Sequence, residues 1–453
     1  MALTATERVD LALSAFFKGR PATGRLRVAL SGGRDSVVLL HALHRLQAAG
    51  GESFALSAIH VHHGISVNAD AWAEFCGDLC DGLGISLEIV RVSVPRDSGE
   101  GLEAAARRLR HQAFASCAAD CLALAQHRDD QAETVLLNLL RGAGVAGAAA
   151  MPAVRAARRG PCLLRPLLDV PRAVIEGYAV EQGVRWIEDE SNEDRHYRRN
   201  FLRHEILPAL ESKFPGARQA LARAAGHFAE AGQLLDELAA ADELLVRLPS
   251  GRLCLDAFNR LAPARARNLL RYAWRAAGFR APDTRWIEEA LRQLAVSDAQ
   301  SATCVASPEG ELHVYRGEVY LLPQRPAVPD VPLPWHGEPL LWWAGDRLRF
   351  EDAAVGGIRR ELMAAEAIEI RPRQGGERFK PHARRPRRSL RNLLQEVAMP
   401  PWERERLPLL WIGGRLAWVG GLGVDADFAC APGDSGILPV WVPSAGGDAS
   451  AQY

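Results

Sequence analysis

The rhythm of apolar and polar positions changes twice along this chain. Over the first 150 residues, short apolar runs alternate with segments of helical period. Residues 1–20 place Glu7 and Asp10 among apolar positions spaced as in an amphipathic helix. Arg27–Ser31 and Phe54–Val61 are predicted strands, as are Leu87–Val94 and Cys121–Ala125. Between them, Ser36–Ala49, Asp70–Leu83, Gly101–Cys117 and Asp129–Leu140 carry the helical period. This alternation predicts an α/β fold with a doubly wound, mostly parallel sheet, whose ligands sit at the carboxyl ends of the strands.

After about residue 214 the strands give way to Ala- and Leu-rich helical stretches, Ala217–Val246, Ala264–Gly278 and Thr284–Leu294, closed by a hairpin at 312–322. Pro323–Pro334 holds five prolines in twelve residues and predicts a stiff linker. Short aromatic and β-rich runs follow, such as Leu340–Trp343 and Leu409–Ile412, and the Gly/Ala/Ser-rich tail 444–453 predicts disorder. The expected division is a catalytic α/β domain over 1–215, a mainly helical domain over 216–325 and a small α+β domain over 335–443.

Composition narrows the class. The chain has 453 residues, 48% hydrophobic and 24% charged, an ordinary globular mixture. No run approaches the ~18 apolar residues that a membrane helix needs, so the expectation is a cytoplasmic protein with no membrane partner. Lys+Arg 55 cancel Asp+Glu 55, so the whole molecule is no general polyanion binder. Only Lys18, Lys213 and Lys380 are lysines. The eight cysteines include no C-x-x-C and predict reduced, mostly buried thiols.

Charge is nonetheless uneven. Between Arg371 and Arg391 lie eight arginines, Lys380 and one acid, Glu377, a formal +8 in 21 residues. Arg378, Lys380, Arg384, Arg385, Arg387 and Arg388 are therefore candidate RNA-phosphate contacts, with Phe379 and Trp402 as candidate stacking surfaces. Arg107, Arg108 and Arg110 offer a second basic patch, from which Arg107 and Arg110 are candidate contacts. A solvated basic face is the plainer alternative for both.

The sharpest chemical signal is Ser31-Gly32-Gly33-Arg34-Asp35-Ser36, set between a predicted strand and helix. The glycines admit a close approach of phosphate oxygens, and the helix start directs N–H groups at them. The serine hydroxyls add donors. Asp35 would repel bare phosphate, which suggests an intervening cation such as Mg²⁺. The plainer alternative is a turn with Asp35 as helix N-cap. Further on, Asp130 and Glu133 share one side of the Asp129–Leu140 helix, where carboxylates suit a cation or an amine as well as the helix dipole. His60-Val-His-His-Gly64 follows the second strand. Arg199 and Arg203 lie at i, i+4 and could grip phosphates, or pair with six nearby carboxylates (Glu188, Asp189, Glu190, Glu193, Asp194, Glu205).

Ser31–Ser36 resembles the signature of the PP-loop ATP pyrophosphatases, which implies that these six residues hold the pyrophosphate of ATP and that adenine meets the backbone of Ile59, His60 and Val61. Together with H-V-x-H-G, the E-A-A-A-R-x-x-R run (103–110), D-D-Q-x-E-T, R-G-x-G-x-x-G (141–147), R-P-L-L (165–168), D-x-S-N and R-N-x-x-R-x-x-I-L-P, it resembles the bacterial tRNA(Ile)-lysidine synthase family in its long form. The resemblance implies ligation of L-lysine to C2 of the wobble cytidine of a CAU-anticodon tRNA(Ile), with ATP as Mg-ATP giving AMP and pyrophosphate. It implies Asp35, Asp130 and Glu133 as catalytic, Asp35 as the Mg²⁺ ligand, and leaves open whether Asp130 and Glu133 serve lysine or Mg-ATP, and whether the protein is a homodimer. Two rivals are a PP-loop tRNA thiolation enzyme, disfavoured because C-x-x-C is missing, and an RNA-binding protein with a degenerate nucleotide site.

Overall fold

The computed structural model describes residues 2–18, 24–50, 54–95, 101–156, 160–188, 198–298, 303–353, 355–431 and 434–443. Asp189–Asn192, with the acids Glu193 and Asp194, and the tail 444–453 lie outside the described residues. The chain forms two compact units, Met1–Leu234 and Leu235–Tyr453.

In the first unit, α1 (Ala5–Phe17) opens with a capping box in which Thr4 and Glu7 satisfy each other's backbone N–H groups. Then come β1 (Arg25–Ala29), α2 (Arg34–Ala48), β2 (Ala55–His62), α3 (Ala69–Leu83), β3 (Ser86–Arg91), α4 (Leu102–Ser116), β4 (Cys121–Ala123) and α5 (Arg128–Leu140). They match the predicted elements to within a few residues. Beyond them lie α6 (Val145–Ala148), β5 (Val154–Arg155), β6 (Cys162–Leu164) and α7 (Arg172–Glu181), which periodicity had not separated. β5 and β6 are two and three residues long, too short to show a period of two.

The sheet order is β3-β2-β1-β4-β6-β5, parallel except for the β5 edge. Leu26 and Val28 of β1 pack with Leu39, Leu40 and Leu43 of α2 and Tyr178 of α7 on one face. Ile59, Phe114 and Leu122 form the core of the other. Successive strands step outward from β1 to β3, then restart on the opposite side at β4. The crevice between the ends of β1 and β4 is thus a topological switch point, where ligands of such sheets bind. The turns leaving β1 and β4 carry Ser31–Ser36 and His127–Asp130.

The predicted single helix through Arg199 and Arg203 is instead composite. Residues Arg198–Phe201 (α8) are α-helical, Leu202–Ile206 form a π-helical turn, and Leu207–Lys213 (α9) resume the α form with Pro208 in the first turn. α10 (Ala217–Val246) follows as a single 30-residue helix, as its periodicity predicts.

In the second unit, β7 (Leu253–Cys254), α11 (Leu255–Asn259), α12 (Pro263–Ala276), α13 (Thr284–Val296), β8 (Cys304–Ala306), β9 (Gly310–Tyr315) and β10 (Glu318–Pro323) build an antiparallel sheet of order β7-β10-β9-β8 with its helices. Trp274, Leu269 and Leu312 are wholly buried between them. Among the described residues the rest of the unit holds a five-stranded antiparallel sheet centred on Ile368–Arg371 and Leu409–Ile412, a four-stranded one centred on Asp346–Ala353 and Gly436–Val442, and a two-stranded ribbon of Arg378–Phe379 and Arg388–Ser389. The proline segment is anchored, not free: Arg325 is ion-paired to Glu403 at 3.0 Å, and Leu333–Trp335 joins a sheet. No helix among the described residues is long and apolar enough to cross a membrane.

Candidate active site

Gly33, not Asp35, is the N-cap of α2, and no side chain caps this helix start. Its first N–H groups are left for an anion, which the Asp35-cap alternative would have removed. The loop is shaped by its own serines. The Ser31 N–H donates to Ser36 Oγ (3.1 Å), the two hydroxyls lie 3.0 Å apart, and Ser36 Oγ donates to Gly33 O (2.8 Å).

Gly32 has φ +86°, and a Cβ there would lie 2.7 Å from Ile187 Cδ1. The Ile187 N–H donates to Gly32 O (2.9 Å), so Ile187 clamps the loop from behind. Gly32→Ala is expected to combine left-handed strain of ~1 kcal/mol or more with this clash and displace the loop. The check is ATP affinity, which falls, against a wild-type-like affinity for tRNA.

Behind the loop stands His127, which sequence reasoning passed over. It caps α5, is 1% exposed, and its Nε2 lies 3.5 Å from both Asp35 Oδ2 and Asp130 Oδ2. The Asp130 N–H reaches Nδ1 (3.4 Å), which favours the proton on Nε2, between the two carboxylates. Burial pushes the imidazole pKa down, but Asp35 and Asp130 outweigh it and raise it above the ordinary value. Conversely, burial pushes Asp35 up, yet His127, Arg34 and Arg172 hold its carboxyl below the ordinary range, so it is ionised. Both contacts to Asp35, from Arg34 Nε and His127 Nε2, are long at 3.5 Å. Its oxygens keep free lone pairs, a donor set that fits a hard divalent cation.

Asp130 and Glu133 are 8% and 1% exposed, not the solvated polar side that their helical spacing suggests. Glu133 accepts from Arg203 Nε (2.6 Å), Arg199 Nε (2.8 Å) and Arg203 Nη2 (3.0 Å). Asp130 Oδ1 accepts from Nη2 of Arg199 (2.9 Å) and of Arg203 (3.0 Å). The two arginines therefore do not present free guanidinium groups to phosphate. Among the described residues their partners are α5 carboxylates some 70 positions away, while Asp189, Glu190, Glu193 and Asp194 lie outside the described residues. The outer rim is likewise compensated: Arg34 pairs with Glu176 (2.9 Å) and Arg218 with Asp129 (3.2 Å).

The second-strand histidine acts as scaffold. His60 is buried, its Nδ1 lies 2.9 Å from Leu30 O and 3.5 Å from Cys76 Sγ, and burial lowers its pKa. Ile59 O already accepts the Leu30 N–H (2.9 Å). The Ile59 carbonyl is thus engaged within the sheet, and Val61, the last of the predicted trio, is half-buried. Arg165 of the R-P-L-L run is buried and bonds Gln126 Oε1 (2.8 Å) and Pro152 O (2.7 Å), fixing the turn that carries His127. Buried Cys76 and Cys80, which burial raises to about 12 and about 11, are inert thiols.

In the second unit the basic cluster is smaller in space than along the sequence. Arg387 grips the buried Asp425 bidentately (3.0 and 3.2 Å), Lys380 pairs with Asp427 (2.9 Å) and Arg388 with Glu396. Arg371 and Arg373 pair with Glu369 and Glu377. Lys380, Arg387 and Arg388 are thus tied to the fold. Arg378, Arg384 and Arg385 are exposed and make no ion pair among the described residues; Arg384 and Arg385 line an open concavity of about 480 Å³ with Pro381 and His382. Neither predicted stacking residue offers a free face. Phe379 is wholly buried, and Trp402 packs against His313 (4.3 Å between centroids) and, edge-on, against Tyr320 (4.9 Å). Arg107 and Arg110 are exposed on α4.

Comparison with known proteins covers all three segments. Residues 5–210 match the PP-loop domain family, 253–320 the TilS substrate binding domain and 368–441 the TilS substrate C-terminal domain. The tRNA(Ile)-lysidine synthase of Aromatoleum aromaticum is 45% identical over 424 residues, 92% of this chain and 97% of the relative. That of Nitrosomonas europaea is 45% identical over 427 residues, 93% of this chain and 92% of the relative. Among solved structures, the U34-tRNA thiolase NcsA from Methanococcus maripaludis aligns with 19% identity over 50% of this chain and 79% of its own, at a TM-score of 0.42.

Proposed function

Since the chain belongs to the tRNA(Ile)-lysidine synthase family and is an ATP-using ligase of tRNA modification, we propose that it joins L-lysine to C2 of the wobble cytidine of a CAU-anticodon tRNA(Ile) in the cytoplasm. The observation that supports this reading most is the juxtaposition, at one sheet switch point, of an uncapped phosphate loop and a buried carboxylate pair bridged by His127. A two-step ligation needs both: a cradle for departing pyrophosphate and a negatively charged seat for an amine.

In the first step the cytosine C2 oxygen, a poor leaving group, attacks the ATP α-phosphate. Ser31–Ser36 hold the pyrophosphate through the N–H groups of α2 and the serine hydroxyls. Asp35, ionised and with free lone pairs, would hold Mg²⁺, which when bound supplies positive charge against the departing pyrophosphate. In the second step the lysine ε-amine displaces AMP at C2. The amine attacks only when neutral, so a carboxylate must orient the ammonium and accept its proton. Asp130 and Glu133 fill that role once a guanidinium leaves them. Arg199 and Arg203 close the carboxylate pair in the free enzyme and turn toward RNA or AMP phosphate when substrate arrives, so one pair of arginines serves both partners.

The test is incubation with ATP, lysine and CAU-anticodon tRNA(Ile), followed by nucleoside mass spectrometry. Lysidine in the digest, dependent on both ATP and lysine, is the expected product. Its absence with a fully folded enzyme sinks the reading.

For RNA binding, the exposed cations carry the expectation. Arg384→Ala with Arg385→Ala should weaken tRNA affinity and reduce the slope of log affinity against log salt by about 1.4–1.8, the release expected from two phosphate contacts. Fluorescence anisotropy at several KCl concentrations measures this. Arg387→Ala should act differently, lowering stability because Asp425 is left buried and unpaired.

A further inference from the structure

Cys304, Glu311 and His313 come together on the β8–β9 pair, away from the phosphate loop in sequence and in another compact unit. The register makes the meeting unavoidable. Cys304 is the cross-strand partner of His313, and Glu311 lies two residues before His313, so all three side chains share one face. Their ligand atoms all lie within 4.8 Å of one another. His313 Nε2 is 2.8 Å from Glu311 Oε2 and 3.8 Å from Cys304 Sγ. A tetrahedral zinc ion, with Zn–N and Zn–S lengths of ~2.0 and ~2.3 Å, needs its ligand atoms ~3.3–3.6 Å apart. The two His313 pairs lie within about half an ångström of that geometry, and the Cys304–Glu311 pair, inside the 4.8 Å limit, reaches it by a shift of no more than about 1.3 Å.

We propose that Cys304, Glu311 and His313 form a zinc-class divalent metal site in the substrate-binding domain. A thiolate, an imidazole and a carboxylate together select zinc over magnesium or calcium, which prefer oxygen donors alone. The fourth position is open to solvent, since Cys304 is exposed.

The site has a structural consequence. The His313 ring is one wall of the aromatic cluster that receives Trp402, with Tyr315 and Tyr320 as the others. Trp402 is the second residue of the short helix Pro401–Arg406, which belongs to the last segment of the chain and also ties Glu403 to Arg325. A metal that fixes His313 therefore stiffens the joint between the middle sheet and the C-terminal sheets of this unit.

The experiment uses the full-length protein, stripped with EDTA, reduced, and titrated with Co²⁺ and then Zn²⁺. The expected result is one equivalent of cobalt with tetrahedral visible bands and a thiolate-to-cobalt charge-transfer band, all displaced by zinc. Cys304→Ser, an exposed position that leaves the core untouched, should remove the charge-transfer band. His313→Gln and Glu311→Gln should each weaken binding at least tenfold. Zinc should raise the unfolding midpoint of the wild type and not that of Cys304→Ser. Absence of the thiolate band in wild type, its survival in Cys304→Ser, or an equal zinc effect on both midpoints overturns the proposal.

Discussion

Glu133→Gln should leave an enzyme that still releases pyrophosphate in the presence of tRNA but makes little lysidine unless lysine is raised ten- to hundredfold. That range corresponds to one lost charge-assisted contact, about 1.5–3 kcal/mol. The structure adds a second effect that a free carboxylate would not show. Glu133 accepts three guanidinium bonds at 2.6–3.0 Å while almost wholly buried. Glutamine turns an NH₂ toward those donors and leaves Arg203 without its main counter-charge. Breaking such a buried pair costs ~3–5 kcal/mol, with the lower end expected here because Arg199 keeps some solvent. At ~2–4 °C per kcal/mol the melting point should fall by roughly 6–12 °C. Calorimetry and a lysine titration separate the two effects. Loss of pyrophosphate release with unchanged lysine dependence would assign Glu133 to the ATP side instead.

The largest loss of chemistry is expected from Asp35→Ala. Without this carboxylate the pyrophosphate loses its cation anchor, and tRNA-dependent pyrophosphate release should fall at least about a hundredfold. The fold should persist, because Asp35 is neither the cap nor part of the α2 core. Wild-type turnover in a folded variant would reduce the loop to a structural turn. A pH signature accompanies the change. Asp35 is held below its ordinary 3.8, so its contribution to stability exists above that value and fades as pH falls through the folded-state pKa. His127 is held above its ordinary 6.5, so its contribution is complete below 6.5 and is lost as pH rises through the raised value. The stability gap between wild type and variant should therefore be widest from about pH 4 to 6.5 and narrow above it. Denaturant unfolding across that range reads it, and a gap that widens toward pH 9 would contradict the His127 bridge.

The parts of the molecule legible in its sequence are those set by local chemistry. S-G-G-x-D-S lies where a strand must turn into a helix, and α5 and α10 declare themselves by period. What escaped depends on residues distant in the chain. His127 looks like any polar residue before a helix; only the fold brings Asp35 to its Nε2. Arg199 and Arg203 have acidic neighbours in sequence, yet they bind α5. The +8 run overstated the basic surface because Asp425 and Asp427, some 40 residues on, neutralise its middle. Phe379 and Trp402 show why aromatic residues near arginines are weak evidence of stacking. Phe379 has an apolar seat in its own domain, and Trp402 an aromatic one on the middle sheet of the same unit.

The π-helical turn at Leu202–Ile206 sets a tolerance on chain length. An α-helical residue advances about 100° around the axis, so deleting one position between Arg199 and Arg203 would swing the second guanidinium about a quarter-turn off the carboxylate pair. A substitution in this turn alters one side chain, but a single-codon deletion shifts the phase of everything after it, including the α9 face that carries buried Leu207. Among descendants of this sequence, the spacing from Arg199 to Leu207 should therefore drift less than the identities of the residues between them.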